Sequence, residues 1–568
     1  MAKRIFSVVF ILSSTLLQAQ TFFSAKKYPS RAYQNPMNFP ISLAGNFGEC
    51  RANHFHSGID IRTNKVENQL VHAIEDGFVS RVKIEAGGFG NAIYITHADG
   101  YVSLYAHLNK FYPELQEQIV RKQYQTKSWK QDIYFMPHEF PVRKGKFIAW
   151  SGNTGSSEAP HLHMEIRDAK TEAPLNPLLF YAGLADTKPP IIKQLAMYDG
   201  TKSIYEQRPN LLAITKQGNL YKPTNPKLLI KSKSVFFGIN GGDYMENALG
   251  TLGIYEMRMY VDDKPFFAWQ LDNISYDITR YMNAEADYKT KKGGGPWIQL
   301  CAKLPNDKLP IYKSFSTNNG IIDLSDGLIK KARIVVLDTK NNSSTLEFTI
   351  QGNSMSNKPI CEREFVSGIK NKFKNEHVEF ELDEASLYDH ICFKTSIQPS
   401  ISPYSHIYQV HYPYVPLHTY FHLKLKPKQN IPLSLKDKIA VIRYPAGKET
   451  TKKGKAALLA DGTVVTNVRD FGNYEIVIDQ KPPSVLSTIK NNDNISKLSR
   501  LSFTVKEETT TVKTCILEVD GEWLRLVQKG DIFYYEMDQH VKQGEHVFTL
   551  TVSDENGNTN QVKYNLKR

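Results

Sequence analysis

Cysteine is scarce: five in 568 residues, at positions 50, 301, 361, 392 and 515. The wide spacing and odd number exclude a disulfide-dense scaffold and a CxxC metal knuckle. They leave Cys361 with Cys392 as the one pair close enough in sequence to suggest a bridge, so one disulfide or none is expected. Long apolar runs are also lacking. The exception, Ile5 to Leu17, is too short to span a bilayer comfortably; it follows Lys3 and Arg4 and precedes Gln18-Ala19-Gln20. It reads as a secretory signal peptide over residues 1–20, and no later stretch is apolar enough for a membrane helix. The mature chain is therefore expected to be exported without a transmembrane segment, and to be periplasmic, envelope-associated or secreted. Acidic residues are in deficit as well, 58 against 71 Lys and Arg, for a formal charge of +13. Such a surface is drawn to polyanions. Export makes nucleic acid a poor partner and leaves anionic lipid or an acidic wall.

What the chain has in quantity is turn and strand chemistry: 34 Gly, 28 Pro, 30 Tyr and 29 Phe. Its length calls for three or four domains, and the composition for a mainly β class. Up to about residue 185, short alternating segments such as Ala92 to Thr96 and Tyr101 to Tyr105 are separated by Gly turns, the pattern of a compact antiparallel β domain (21–185). Two punctuation marks follow, Asp186-Thr187-Lys188-Pro189-Pro190 and Asp479-Gln480-Lys481-Pro482-Pro483. A repeat aligns without gaps: Arg333 to Asp338, Asn341-Asn342 and Leu346 to Ile350 against Thr549 to Asp554, Gly557-Asn558 and Val562 to Leu566. Each copy is strand, tight turn, strand. A weaker copy runs through Asp470 to Ile478. We expect β-sandwich modules over 186–354, 355–480 and 481–568, similar in turn and strand pattern to the immunoglobulin-like domains of exported bacterial proteins.

Half of the sixteen histidines lie between His54 and His163. In His56-Ser57-Gly58-Ile59-Asp60, an extended chain turns His56, Gly58 and Asp60 to one face, with Gly58 leaving a notch between them. In His161-Leu162-His163-Met164-Glu165-Ile166, the polar side chains share one face and Leu162, Met164 and Ile166 the other. A catalytic zinc site needs three N or O donors and an open position, and two imidazoles with a carboxylate meet that need.

The order His56-x3-Asp60, Tyr105-Ala106-His107-Leu108, Ser151-Gly152-Asn153-Thr154-Gly155, Pro160-His161-Leu162-His163 resembles the lysostaphin-type (LytM-like) zinc metallopeptidases over about residues 45–180. The resemblance implies that His56, Asp60 and His163 bind one zinc ion and that His107 and His161 are the unligated catalytic pair, with either able to be the general base. It implies a peptidoglycan endopeptidase. Bridge, stem and D,D cross-link all stay open as substrates, the D,D bond being the default in an envelope with direct cross-links, and the C-terminal modules are expected to position the enzyme on wall or on an envelope protein partner. The alternatives are a regulator that activates another wall hydrolase, which some members of the family are, and a peptidase of secreted proteins.

Residues 109–141 are longer than the resemblance leads one to expect. They contain a predicted helix from Pro113 to Tyr124, read either as a lid over the cleft or as surface decoration. Arg51 is expected to hold a substrate carboxylate or to form a structural ion pair. His54, His72, His97 and His138 are taken as structural or solvated. His418 and His422 are expected on strand or loop, where their spacing does not favour a metal.

Overall fold

The computed structural model describes residues 22–24, 28, 33–181, 184–246, 248–352, 361–444 and 451–568. The expected signal peptide lies outside the described residues. Among these residues no helix is long and apolar enough to cross a membrane. The architecture is mainly β.

The N-terminal domain is an antiparallel sheet whose central strands run in the order Leu43–Gly45, Ile59–Arg62, His161–Asp168, Tyr101–Ala106, Asn91–His97, Gly77–Ile84, Gln131–Tyr134. A smaller sheet of Leu70–His72, Phe147–Trp150 and Lys110–Phe111 packs beside it. Register does the work of assembling the site: Asp60 lies opposite His163, and His163 in turn opposite Ala106, the residue before His107. The alternating apolar residues Ile59, Ile61, Leu162, Met164 and Ile166 turn inward and are at most 1% exposed.

A second module is built on one continuous twelve-stranded sheet. Its strand Asn210–Gln217 pairs through its first half with Ile191–Asp199 and through its second half with Leu220–Pro223, carrying the chain from one layer to the next. Two five-stranded sheets follow, then two four-stranded sheets. Cys361 and Cys392 form a disulfide, while Cys50, Cys301 and Cys515 are free.

The boundary between the first two units is not a simple linker. Phe47, ahead of the hairpin Cys50–Arg51/His54–Phe55, and Phe55, its last residue, are 1% and 2% exposed and lie in the apolar core of the second module, not in that of the N-terminal sheet. In return, Met245 and Leu252 of the second module lie in the core of the first. Burying each phenylalanine is worth about 1.5–3 kcal/mol. Asn46 and Gly253 add a reciprocal clamp, Asn46 Nδ2 donating to the Gly253 carbonyl at 3.0 Å and the Gly253 amide donating to Asn46 Oδ1 at 2.7 Å.

The helix Pro113–Thr126 starts at a proline that needs no hydrogen-bond partner and stops at Lys127, which is left-handed at φ 46°. It is absent from the lining of the histidine cleft. Its Tyr124 instead stacks on His540 of the last module at 3.7 Å between ring centres, meets Trp523 edge-on, and donates to Asp538 Oδ2 at 2.8 Å. The insert is the docking face for the C-terminal module.

Candidate metal centre

A cleft of about 760 Å³ is lined by Asp60, His107 and His161 with Arg51, His54, Ser157 and others, and the buried His56 and His163 lie against Asp60. His56 Nε2 is 3.0 Å from His163 Nδ1 and 3.1 Å from Asp60 Oδ1, and His163 Nδ1 is 3.0 Å from Asp60 Oδ1. These three residues are buried and form one group able to hold a metal ion.

The hydrogen bonds around this group fix its tautomers. His56 Nδ1 faces the Asn46 carbonyl at 2.8 Å and must donate to it, which leaves Nε2 with a lone pair. His163 Nε2 faces Glu165 Oε1 at 3.0 Å and donates, which leaves Nδ1 with a lone pair. Two imidazole lone pairs thus meet at hydrogen-bond distance beside a carboxylate oxygen. Only a cation between them relieves this contact. Without a metal the role falls to a proton: burial lowers the affinity of His163, but hydrogen bonds and charge from Asp60 and Glu165 overcome it and raise its pKa to about 9. Two imidazoles and a carboxylate are a zinc donor set, so the residues fit the ion that the sequence implies.

Arg51 donates to Asp60 Oδ2 at 2.5 Å and also reaches Glu49 Oε2 at 3.4 Å. It is an ion-pairing residue that occupies one oxygen of Asp60 and leaves Oδ1 to the donor group. Burial pushes Asp60 up, yet the surrounding imidazoles prevail and hold it well below the usual carboxylate range.

His107 and His161 stand over this group with ring centres 4.8 Å apart. His107, at a left-handed φ of 60°, presents Nδ1 to the Thr154 carbonyl at 2.8 Å, and His161 presents Nδ1 to the Ala159 carbonyl at 2.8 Å. His107 is therefore left with Nε2 free to accept, whereas Nε2 of His161 faces a carboxylate. His161 Nε2 lies 3.4 Å from Asp60 Oδ1. Burial, then the neighbouring His163 and His161, lower His107 to about 3, so it is a neutral imidazole. The loop that seats it depends on Gly155, at φ 71°, where a Cβ would fall 2.3 Å from the Gly90 amide.

The notch expected at Gly58 is filled: a Cβ there would lie 2.3 Å from the Met164 carbonyl, so glycine lets the His56 segment close on the neighbouring strand. Sequence reasoning missed the support of His163. Glu165 Oε1 also accepts from Ser57 Oγ at 2.6 Å and from Tyr276 of the second module at 2.5 Å, and Oε2 accepts from Arg167 Nε at 2.6 Å. Although burial alone would raise it, Arg167 and these hydrogen bonds hold Glu165 at about 2. The face shared by His163 and Glu165 was a signal; nothing in the sequence pointed to Tyr276. His97 is structural, bonded to Ser103 Oγ and the Asp76 carbonyl at 2.8 Å each. His418 lies on strand Pro416–Leu425, stacked on Tyr281.

Residues 54–127 match peptidase family M23, residues 364–479 a Zu5-like domain and residues 477–567 a bacterial Ig-like domain. The chain is 34% identical over 123 residues to the DD-carboxypeptidase/endopeptidase Mpg of Neisseria meningitidis serogroup B, covering 22% of each. It is 34% identical over 122 residues to the murein hydrolase activator NlpD of Salmonella dublin, covering 22% of this chain and 25% of that one. The chain thus spans about a quarter or less of the length of these two relatives. Among solved structures, the catalytic domain of lysostaphin from Staphylococcus simulans aligns at 24% identity, 25% of this chain, 92% of that chain and a TM-score of 0.18. The chain carries a peptidase family M23 domain on its N-terminal side and a bacterial Ig-like domain further along.

Proposed function

We propose that this protein is an exported zinc-dependent endopeptidase that hydrolyses peptide bonds of peptidoglycan, with direct D,D cross-links as its substrate, and that its C-terminal β modules position it. The observation that carries this reading is the convergence of His56 Nε2, Asp60 Oδ1 and His163 Nδ1 beneath two imidazoles whose Nε2 atoms are uncommitted to carbonyls. The murein-directed relatives support the substrate class.

Zinc, when held by these three atoms, supplies a Lewis acid that makes water nucleophilic near neutral pH and polarises the scissile carbonyl. The protein's own groups do the rest. Glu165, Asn46 and Arg51 hold the three donors in one tautomer and one orientation. His107 and His161 handle the proton: one Nε2 accepts it from the attacking water and delivers it to the leaving nitrogen, and the other ring, as an imidazolium carrying a proton on Nε2, stabilises the oxyanion.

Digestion of purified sacculi by the zinc-loaded protein, read by mass spectrometry of the soluble products, tests the proposal. The expected result is conversion of cross-linked peptides to uncross-linked ones, with casein left intact. The likeness to NlpD favours a second reading, that of an activator. It predicts no products from sacculi alone and stimulation of a wall amidase, and that outcome would overturn the enzymatic reading.

A further inference from the structure

A second group of carboxylates lies where the linker leaves the peptidase domain. Asp186 belongs to that linker, Asp243 follows strand Ser234–Gly242, and Asp338 follows strand Lys330–Leu337. One oxygen from each lies within 4.8 Å of the others. Asp338 is engaged, Oδ1 by the amides of Lys340 and Asn342 at 2.7 and 2.9 Å and Oδ2 by Asn342 Nδ2 at 2.7 Å. Asp186 Oδ1 accepts from the Lys188 amide at 3.3 Å. Asp243 differs: it is 3% exposed, yet its Oδ1 has no hydrogen-bond partner. Nearby ammonium groups are turned elsewhere, Lys340 Nζ to the Tyr181 carbonyl at 3.1 Å and Lys188 Nζ to the Met245 carbonyl at 3.3 Å. An unpartnered carboxylate oxygen buried among carboxylates is costly unless a cation joins it.

The geometry points to a calcium site formed by Asp186, Asp243 and Asp338 at the junction of the peptidase domain and the second module. All the donors are hard oxygens with no imidazole or thiolate among them, which disfavours zinc. A linker and two strand ends give the irregular, adaptable arrangement that calcium tolerates and magnesium does not. The construction recurs one junction later. There Asp479, again before a Pro-Pro pair, and Asp554, again at a repeat hairpin, meet Glu507 within 4.8 Å. At that second junction Lys438 Nζ lies on Asn558 Oδ1 at 2.5 Å and the Asn556 carbonyl at 3.1 Å, so a fixed positive charge already stands beside the group. Lysines stand near the first junction too, but there Asp243 Oδ1 is buried without a partner, whereas at the second Asp479 Oδ2 accepts from Thr510 and Asn556 and Asp554 accepts from Asn558, so the first junction is the one assigned to the ion.

This position gives the ion leverage on the catalytic cleft. Asp243 and Leu252 exchange backbone hydrogen bonds of 2.8 and 2.9 Å, closing the loop between them, and Leu249 of that loop stands on the cleft rim, 83% exposed. Calcium on Asp243 ties the base of this rim to the interdomain linker.

The test is titration of the zinc-loaded full chain with calcium chloride, by calorimetry and by thermal unfolding. We expect saturable binding with Kd on the order of 10⁻⁴ to 10⁻³ M, as for extracellular modules, and a rise in Tm of several degrees. Asp243→Asn and the half-exposed Asp186→Asn should each abolish both responses, and Asp243→Asn should melt no lower than wild type without calcium. His163→Ala, which disables the histidine centre, should keep the calcium response. No response in wild type, a full response in both aspartate variants, or its loss in His163→Ala would each overturn the assignment.

Discussion

The hydroxyl of Tyr276 donates to Glu165 Oε1 at 2.5 Å, across 111 residues of sequence and from one module into another. It thereby joins the support of His163 to a side chain outside the M23 domain. Its ring also lies under the Arg167 guanidinium, 4.8 Å from ring centre to Cζ.

Tyr276→Phe should weaken zinc binding by about tenfold, the low end of what loss of an outer-shell partner costs, while leaving the fold intact. Competition with a chromophoric chelator measures it. An unchanged affinity would show that Ser57, Arg167 and His163 suffice to fix Glu165.

Asp60→Ala should remove zinc and hydrolysis together, because it deletes one of three donors and leaves Arg51 without its closest partner. His107→Ala should keep stoichiometric zinc and lose turnover by about 10²–10⁴-fold, the usual worth of a positioned acid or base. Metal analysis beside sacculus digestion separates the two outcomes.

Tyr124→Ala should free the last module from the insert helix. It deletes the stack on His540 and the hydrogen bond to Asp538, together worth about 2 kcal/mol. Small-angle scattering should register a longer, more variable particle. An unchanged profile would place the docking energy elsewhere.

His411 predicts an acid-sensitive third module. It is 1% exposed, its Nε2 lacks a partner, and burial, then Lys289 and Lys394, lower its pKa to about 3. A depressed folded pKa means that the unfolded chain binds the proton more readily. The stabilising contribution is therefore complete above the unfolded value near 6.5 and declines as pH falls towards 3, by a few kcal/mol at most. His411→Asn suits the residue's left-handed φ of 53°. Denaturant unfolding between pH 4 and 7 should show a flatter dependence for the variant.

The five residues of the histidine centre were legible because strand alternation and cross-strand register turn a linear pattern into a cluster with little freedom. Asp60 and His163 need only be opposite one another, and they are. The helix was legible from Pro113, though its last residues Gln125 and Thr126 lie past the expected end. The docking role of that helix was not, since stacking between Tyr124 and His540 depends on a tertiary arrangement that no local pattern encodes. The same holds for Tyr276, and for the strand Asn210–Gln217, whose two halves serve different partners. Gly58 was read as a gap because a sequence shows the missing side chain but not the carbonyl that takes its place.

Phe47 precedes and Phe55 ends the hairpin that leads into His56, and their rings belong to the neighbouring module's interior. The N-terminal domain is therefore no interchangeable cassette. Separating the two units would expose both rings to water and loosen the chain beside His56.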